Sequence, residues 1–219
     1  MTTKLNTDTV VRLYRAGTTP QLVKVPRLRF LRLDGHGDPN TSPAYAAAVQ
    51  ALYAISYAAK FTLKKAGGPI FKVSPLEGLW WADDLSTLTA GDKSDWDWAM
   101  MIRQPDAVAD ELVERLTDEV ASTKALPAAR GLRLVSFEEG AAAQVLHVGP
   151  YSAEAPTIAR LHEFLREQGF TFDGHRHKHH EIYLSDPRRA TPDKLRTIIR
   201  QPYAARSLPE AQVRELTTQ

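Results

Sequence analysis

Between Arg27 and Leu33 apolar Leu28 and Phe30 alternate with Arg29, Leu31 and Leu33, the period of two expected of a β-strand. The turn-forming run Asp34-Gly35-His36-Gly37-Asp38-Pro39-Asn40 stops it. Thr41 or Ser42 can cap the next element, with Pro43 at its first position. From Ala44 to Lys60 the period changes: Tyr45, Val49, Leu52, Tyr53, Ser56 and Tyr57 recur at helical spacing, and Gly67-Gly68 ends the pattern. Pro69–Val73 leading into Pro75–Ala82 reads as strand. Trp96–Arg103 reads as another, with Trp96, Trp98, Met100 and Ile102 set against Asp97, Ala99, Met101 and Arg103. A polar loop, Asp83–Asp95, separates the two. Pro105 ends the second strand. Asp106 can cap a helix to about Lys124, with Val108, Leu112, Val113, Leu116 and Val120 on one face. Leu132–Phe137 then predicts a strand closed by a Glu138-Glu139-Gly140 turn.

After this turn the pattern begins again. Ala143–Val148 reads as a strand, Gly149-Pro150-Tyr151-Ser152 as a turn, and Ala155–Gln168 as a helix stopped at Gly169, with Ile158, Leu161, Phe164 and Leu165 inward. His180–Leu184 and Lys194–Gln201 read as two further strands. The tetrapeptide Ile102-Arg103-Gln104-Pro105 returns as Ile199-Arg200-Gln201-Pro202. Each copy closes a strand–helix–strand–strand unit, so the order of elements predicts an internal duplication. Two βαββ units sharing a sheet make an α+β fold with helices on one face and a groove on the other.

Composition narrows the function classes. The chain of 219 residues has 28 Lys and Arg against 26 Asp and Glu, a formal charge of +2 that gives no electrostatic argument for nucleic acid or a membrane surface. There is no cysteine, which excludes a disulfide framework, a thiol nucleophile and thiolate metal sites. The longest apolar run, Tyr45–Ala59, carries Gln50 and Ser56 and is too short and too polar to span a bilayer. Met1–Val11 mixes Lys4, Asn6 and Asp8 with few apolar residues, unlike a signal peptide. A cytoplasmic protein is the default expectation.

The strand His180-Glu181-Ile182-Tyr183-Leu184 is the most informative short stretch. Its period of two puts Glu181 and Tyr183 on one face and His180, Ile182 and Leu184 on the other. A carboxylate beside a phenol on a rigid strand suits a cationic ligand or acid–base work, and equally a solvated sheet face. Leu76-Glu77-Gly78-Leu79-Trp80-Trp81 occupies the matching place in the first unit. Adjacent tryptophans point to opposite faces, so one can enter the core while the other lines a groove, and spacing does not say which. Trp96 and Trp98 read as core. The run His175-Arg176-His177-Lys178-His179-His180 contains two cations and lacks the spacing of a helical ligand pair, so it reads as a solvated loop and no metal is expected. Asp34–Asp38 is glycine-rich but lacks the lysine of a phosphate loop, and no nucleophile elbow is present.

Taken together, these stretches resemble the GyrI-like family of small-molecule-binding proteins, specifically its stand-alone members. The resemblance runs through Val25-Pro26 to Gly35-His36-Gly37-Asp38-Pro39, Leu52-Tyr53 to Lys60-Phe61, Pro75 to Trp81, Trp96 to Pro105, and His180 to Leu184. It implies an SHS2-like tandem βαββ fold, a mainly antiparallel sheet with helices on one face and a central ligand groove. It makes residues 1–219 a single domain of two pseudo-repeats, about 25–105 and 141–203, joined by a helical linker. It makes Glu181 the polar anchor, with Trp80, Trp81, Tyr151 and Tyr183 as stacking walls. Some stand-alone relatives hydrolyse cyclopropane-bearing DNA-alkylating compounds. That chemistry would assign Glu181 and Tyr151 catalytic roles, with Trp80, Trp81, Tyr183, Glu77, Tyr57 and Met101 as ligand-binding candidates. No cofactor is implied. The expected partner is a small aromatic or cationic ligand rather than DNA or a membrane. The competing expectations are sequestration of flat aromatic cations, or a protein-interaction role such as gyrase modulation.

Overall fold

The computed structural model describes residues 7–82, 93–172, 174 and 178–205. In chain order its elements are α1 (Thr7–Leu13), β1 (Gln21–His36), α2 (Pro43–Lys65), β2 (Leu76–Trp81), β3 (Asp97–Gln104), α3 (Asp110–Thr123), β4 (Arg133–Val148), α4 (Ala155–Glu167), β5 (Phe170–Thr171), β6 (His179–Tyr183), β7 (Arg196–Pro202) and β8 (Ala204–Ala205). Strands β1-β3-β2-β6-β7-β4 form one sheet, antiparallel at every pairing, and β4 pairs back onto β1 to close it into a six-stranded barrel. Closure leaves the sheet no free edge. Strand–helix–strand–strand occurs twice in the element order, as β1-α2-β2-β3 and as β4-α4-β6-β7 once the short β5 is set aside.

Alternation along each strand sorts the side chains. Trp98, Met100 and Ile102 of β3 point outward and pack with Ala48, Leu52 and Ile55 of α2 and Val113 and Leu116 of α3. Ala99 and Met101 of the same strand point inward, with Leu28, Phe30, Leu79 and Ala142. On the other side of the barrel, Ala143, Val145 and Ile199 point outward against Leu161 and Leu165 of α4. Gly35 lies opposite Trp98 across the β1–β3 pairing, where a Cβ would come within 2.1 Å of the indole. Only glycine leaves room for that ring.

The barrel interior is not wholly apolar. Val10 and Leu13 of α1 join its apolar cluster, so the amino-terminal helix fills part of the lumen. Beside it Tyr14 donates to Glu77 Oε1 at 2.6 Å. His180 lies 3.0 Å from Glu77 Oε2 through Nε2 and 2.9 Å from Glu139 Oε1 through Nδ1. Arg200 donates to Glu139 at 3.1 Å, to Gln144 at 3.0 Å and to the carbonyl of Leu13 at 2.6 Å. All four charged side chains are buried. Burial alone would push the His180 imidazole down, but Glu139 and Glu77 outweigh it and raise the group to about 9. Burial likewise opposes ionisation of Glu139, yet His180 and Arg200 together lower its carboxyl to about 2. An imidazolium donating to two carboxylates satisfies the geometry at both ring nitrogens.

Several expectations are corrected here. Glu138-Glu139-Gly140 is not a turn: β4 runs unbroken through it, and Gly140 at φ +77° lets the strand coil while Glu139 enters the lumen. Residues 69–75 form no strand, since their backbone lies outside every ladder. The third helix starts at Asp110, with Ala109 rather than Asp106 at its cap. Ser42 does cap α2, accepting from the Tyr45 amide at 3.3 Å. Glu77 and Met101, expected to line a ligand groove, face the lumen, because they stand at inward positions of β2 and β3. Much of the polar loop at Asp83–Asp95, and His175–His177 of the histidine run, lie outside the described residues. No described helix is long and apolar enough to cross a membrane.

Two measurements test the lumen. His180, raised in the fold, contributes stability fully present below about pH 6.5 and lost as pH rises through about 9. Glu139, lowered in the fold, contributes stability present above about pH 4.5 and lost as pH falls toward 2. The calorimetric midpoint should therefore fall between pH 6.5 and 9.5, and the fall should be shallower in His180→Gln. Replacing Arg200 with Met leaves Glu139 without its guanidinium and should cost about 3–5 kcal/mol in urea unfolding.

Candidate functional site

Where β2 meets β6, Gly78 pairs with Glu181, Trp80 with His179 and Leu76 with Tyr183. Because Glu77 and His180 are turned into the lumen, these residues must present their side chains on the outer surface. There Leu76, Trp80 and Tyr183 join the apolar cluster beneath α2, while α4 packs over β4 and β7 to the other side. The site sits between the two helices.

Its walls are aromatic. Trp80 is buried and lies 6.0 Å from Tyr45 of α2 and 5.7 Å from Trp96, measured between ring centres. Trp80 Nε1 donates to the Tyr183 hydroxyl at 3.1 Å, and Tyr151 meets the Tyr183 ring edge-on at 5.7 Å. A Cβ at Gly78 would approach Trp80 Nε1 to 2.8 Å and the Tyr183 hydroxyl to 3.1 Å, so glycine leaves space for that contact. Lys93 caps the wall, its Nζ 4.6 Å above the Trp96 ring. Tyr151 heads a short 3-10 turn before α4. That turn is fixed from behind by His147, whose Nδ1 is 3.0 Å from Thr157 and Nε2 3.2 Å from the Pro150 carbonyl.

Two carboxyl groups lie at the floor. Glu181 Oε1 is 2.9 Å from His179 Nε2, and Oε2 accepts from the Tyr183 hydroxyl at 2.8 Å. Gln201 Nε2 lies beside His179 Nδ1 on the other side of the ring. Burial opposes the charge on Glu181, but the hydrogen bond and charge of His179, then Tyr183 and Lys93, hold its carboxyl below the usual glutamate range. Glu154, at the start of α4, is 5% exposed and hydrogen-bonds Glu181. The Thr197 hydroxyl also bonds the Glu154 carboxyl and works the other way, favouring its charged form. A carboxylate at a helix amino terminus would ordinarily be favoured. Here burial first, and the Glu181 charge second, push Glu154 up to about 9. At neutral pH the pair therefore holds one proton and one negative charge, with the proton on Glu154. Burial and the charge of Glu181 raise Tyr183 well above the ordinary phenol value and Tyr151 to about 12. Both remain donors at neutral pH.

The sequence matches the GyrI-like small molecule binding domain over residues 18–204. The chain belongs to the GyrI-like family. Among solved structures it is similar to a hydrolase from Listeria innocua, at 38% identity and TM-score 0.78, covering 90% of this chain and 98% of that one. It is also similar to an uncharacterized conserved protein from Listeria innocua, at 40% identity and TM-score 0.80, covering 89% of this chain and 96% of that one. A third likeness is to a hydrolase encoded by lin2189 from Listeria innocua, at 39% identity and TM-score 0.78, covering 89% and 96%. No curated protein matches the chain.

In this GyrI-like chain, Glu181, Tyr183, Trp80 and Tyr151 come together as the sequence expected. Trp81 does not join them: it faces the lumen side, packed against the inner cluster, with Lys178 Nζ 4.8 Å from its ring. Trp98 is core, whereas Trp96 packs into the same cluster and also forms a site wall against Trp80. Tyr57 stands out along α2, half-exposed and stacked between Tyr53 and Phe61. Glu154, Tyr45 and Lys93 were not singled out from the sequence, and His179, expected in a solvated loop, instead stands in β6 with its side chain 11% exposed. Glu154 follows a turn and carries no motif, and only the packing of α4 against β7 brings it to Glu181. Among the described residues no group of three or more His, Asp or Glu could hold a metal ion.

Gly78→Ala should force Trp80 or the Tyr183 hydroxyl to move and cost about 1–3 kcal/mol, an overpacking penalty read by urea unfolding. Gly67→Ala, at a left-handed position on the surface with nothing within 4 Å, is the control that reports backbone strain without crowding.

Proposed function

We propose that the groove between α2 and α4 binds flat aromatic small molecules and hydrolyses those bearing a strained, conjugated cyclopropane, opening the ring with water. The observation that carries this reading is the ionised Glu181 at the floor of an aromatic chamber, with two protonated phenols beside it. The hydrolase titles of the Listeria structures at 38% and 39% identity support a hydrolytic activity. The family match over residues 18–204 supports a small-molecule ligand. The same reading takes residues 1–219 as one domain of two duplicated units, about 25–105 and 141–203, with α3 in the linker and the groove at their junction.

The reaction needs a base, a donor for an oxyanion and a fixed ring. Glu181 takes a proton from water as the water oxygen bonds to a cyclopropane carbon. The ring C–C bond breaks, and its electron pair passes through the conjugated system to a carbonyl oxygen; that oxygen takes a proton from solvent to become a phenol, and Glu181 returns its own proton to solvent, so the net change is the addition of one water. Tyr151 donates a hydrogen bond to that oxygen as charge develops on it. Tyr183, already donating to Glu181, holds the base in place. Trp80, Trp96 and Tyr45 clamp the aromatic body so that the water meets the ring carbon. No cofactor enters this scheme.

Incubation with a cyclopropane-containing alkylator should give a product heavier by one water, followed by mass spectrometry. Glu181→Gln should lower kcat about 10²–10⁴-fold while leaving scaffold binding measurable. Absence of product, with ligand-dependent thermal stabilisation intact, would favour the second reading, sequestration of aromatic cations with Glu181 as counter-ion. The acid within the aromatic walls is what makes that second reading worth testing.

A further inference from the structure

We propose that the exposed face of α2 beyond the groove mouth is an outer subsite, where Tyr57, Lys60, Phe61 and Lys64 take a flat aromatic arm that carries an acidic or carbonyl acceptor at its far end. This rests on the groove being the ligand site, and it narrows the substrate class. The ligand is a reacting ring in the groove joined to a neutral or anionic arm along α2, rather than a compact ring or one with a cationic arm.

The observation behind it is a ladder of rings that the core does not use. Tyr53, Tyr57 and Phe61 follow one another at four-residue spacing and so share one face of α2. Their planes lie within 28° and 24° of parallel, with ring centres 6.5 Å and 6.2 Å apart. Tyr57 and Phe61 are 45% and 57% exposed, and neither packs into an apolar cluster of the core. Scattered exposed apolar residues are ordinary, but rings stacked in register make a continuous apolar strip.

That strip is continuous with the groove. Tyr53, its inner rung, packs against the cluster that holds Leu76, Trp80 and Tyr183. Its hydroxyl hydrogen-bonds the backbone of Leu76, which lies opposite Tyr183 in the β2–β6 pairing. Tyr53 also bears electrostatically on Tyr151 at the mouth. From Tyr53 the ladder runs about 12 Å to Phe61, at the helical rise per residue, which leaves room for a fused bicyclic arm and a substituent. Ring contacts of this kind are favourable beyond the area they bury.

Charge selects the arm. Lys60 Nζ lies 6.0 Å from the Tyr57 ring centre and 5.9 Å from that of Phe61. Lys64, one turn further on, stands on the same face. Asp186, the acid that bears on Tyr53, is already held by Arg188 and Arg189. An arm lying on the ladder therefore meets ammonium groups, which attract an acceptor or an anion at its end and repel a cation. The groove floor has the opposite sign at Glu181, so the two ends of the site read different ends of one ligand.

The test uses three compounds with one cyclopropyl dienone core, N-acylated with acetyl, with a carboxyindole carbonyl or with an amidinoindole carbonyl. For wild type, kcat/KM should be about tenfold higher with the carboxyindole arm than with acetyl, through KM, and the amidinoindole arm should give no such gain. Phe61→Ala should reduce the carboxyindole-to-acetyl ratio about three- to tenfold. Lys60→Gln should narrow the gap between the acidic and amidine arms. Ratios taken within each variant cancel any change in the amount of folded protein. Equal kcat/KM for the acetyl and carboxyindole compounds, or a ratio that survives Phe61→Ala, overturns the outer subsite and leaves the hydrolysis reading intact. Turnover of none of the three overturns the hydrolysis reading, and the subsite is then read from calorimetric binding of the carboxyindole compound. An affinity lowered about threefold or more by Phe61→Ala sustains the subsite; an affinity that variant leaves unchanged, or no binding at all, overturns it.

Discussion

The buried charges of the lumen govern the rest of the molecule. His180 and Arg200 cannot leave Glu139 and Glu77 without stranding ions away from water, so β6 and β7 are held at one register and one face. Strand geometry does the remainder: with His180 locked inward, Glu181 must stand outward, and with Glu77 inward, Gly78 and Trp80 must stand outward beside it. The face that carries Glu181 and Trp80 is thus the reverse side of the ion cluster. The amino-terminal helix is tied into the same arrangement, since Tyr14 donates to Glu77, Arg200 donates to the Leu13 carbonyl, and Gln144 donates to the Arg15 carbonyl at 3.0 Å.

The two carboxylate clusters make a useful contrast. In the lumen two acids face two basic groups, and Glu139 and His180 are each pulled toward the charged form. On the outer face Glu154 and Glu181 face each other, and one is driven to keep its proton. The first arrangement suits a scaffold, because every group is satisfied. The second sets an acid kept neutral by burial and by a neighbouring charge beside aromatic rings, an arrangement also found at binding and catalytic sites.

Much of the architecture was legible from local pattern. The alternation at Trp96–Arg103 correctly divided Trp98, Met100 and Ile102 from Ala99 and Met101, because a period of two is a local property of extended chain. The α2 boundaries followed from Ser42, Pro43 and Gly67, each acting through its own backbone preference. The Glu138–Gly140 misreading has the opposite origin. Acidic residues beside a glycine ordinarily mark a turn, but here Glu139 is drawn into the lumen by partners some 40 and 60 positions away, at |i−j| of 41 and 61. No local signal carries that information.

By itself the sequence determined the α+β class, the alternation that pairs Glu181 with Tyr183 on one face, and the family, because these rest on short-range periodicity and on motifs read residue by residue. Tertiary structure alone decided that the sheet closes, that Glu77 and Met101 face the lumen, that Trp80 rather than Trp81 stands on the outer face with Glu181, and that Glu154 meets Glu181. Those outcomes depend on which strands become neighbours and which buried charges must be neutralised, and both are set by contacts between residues far apart in the chain.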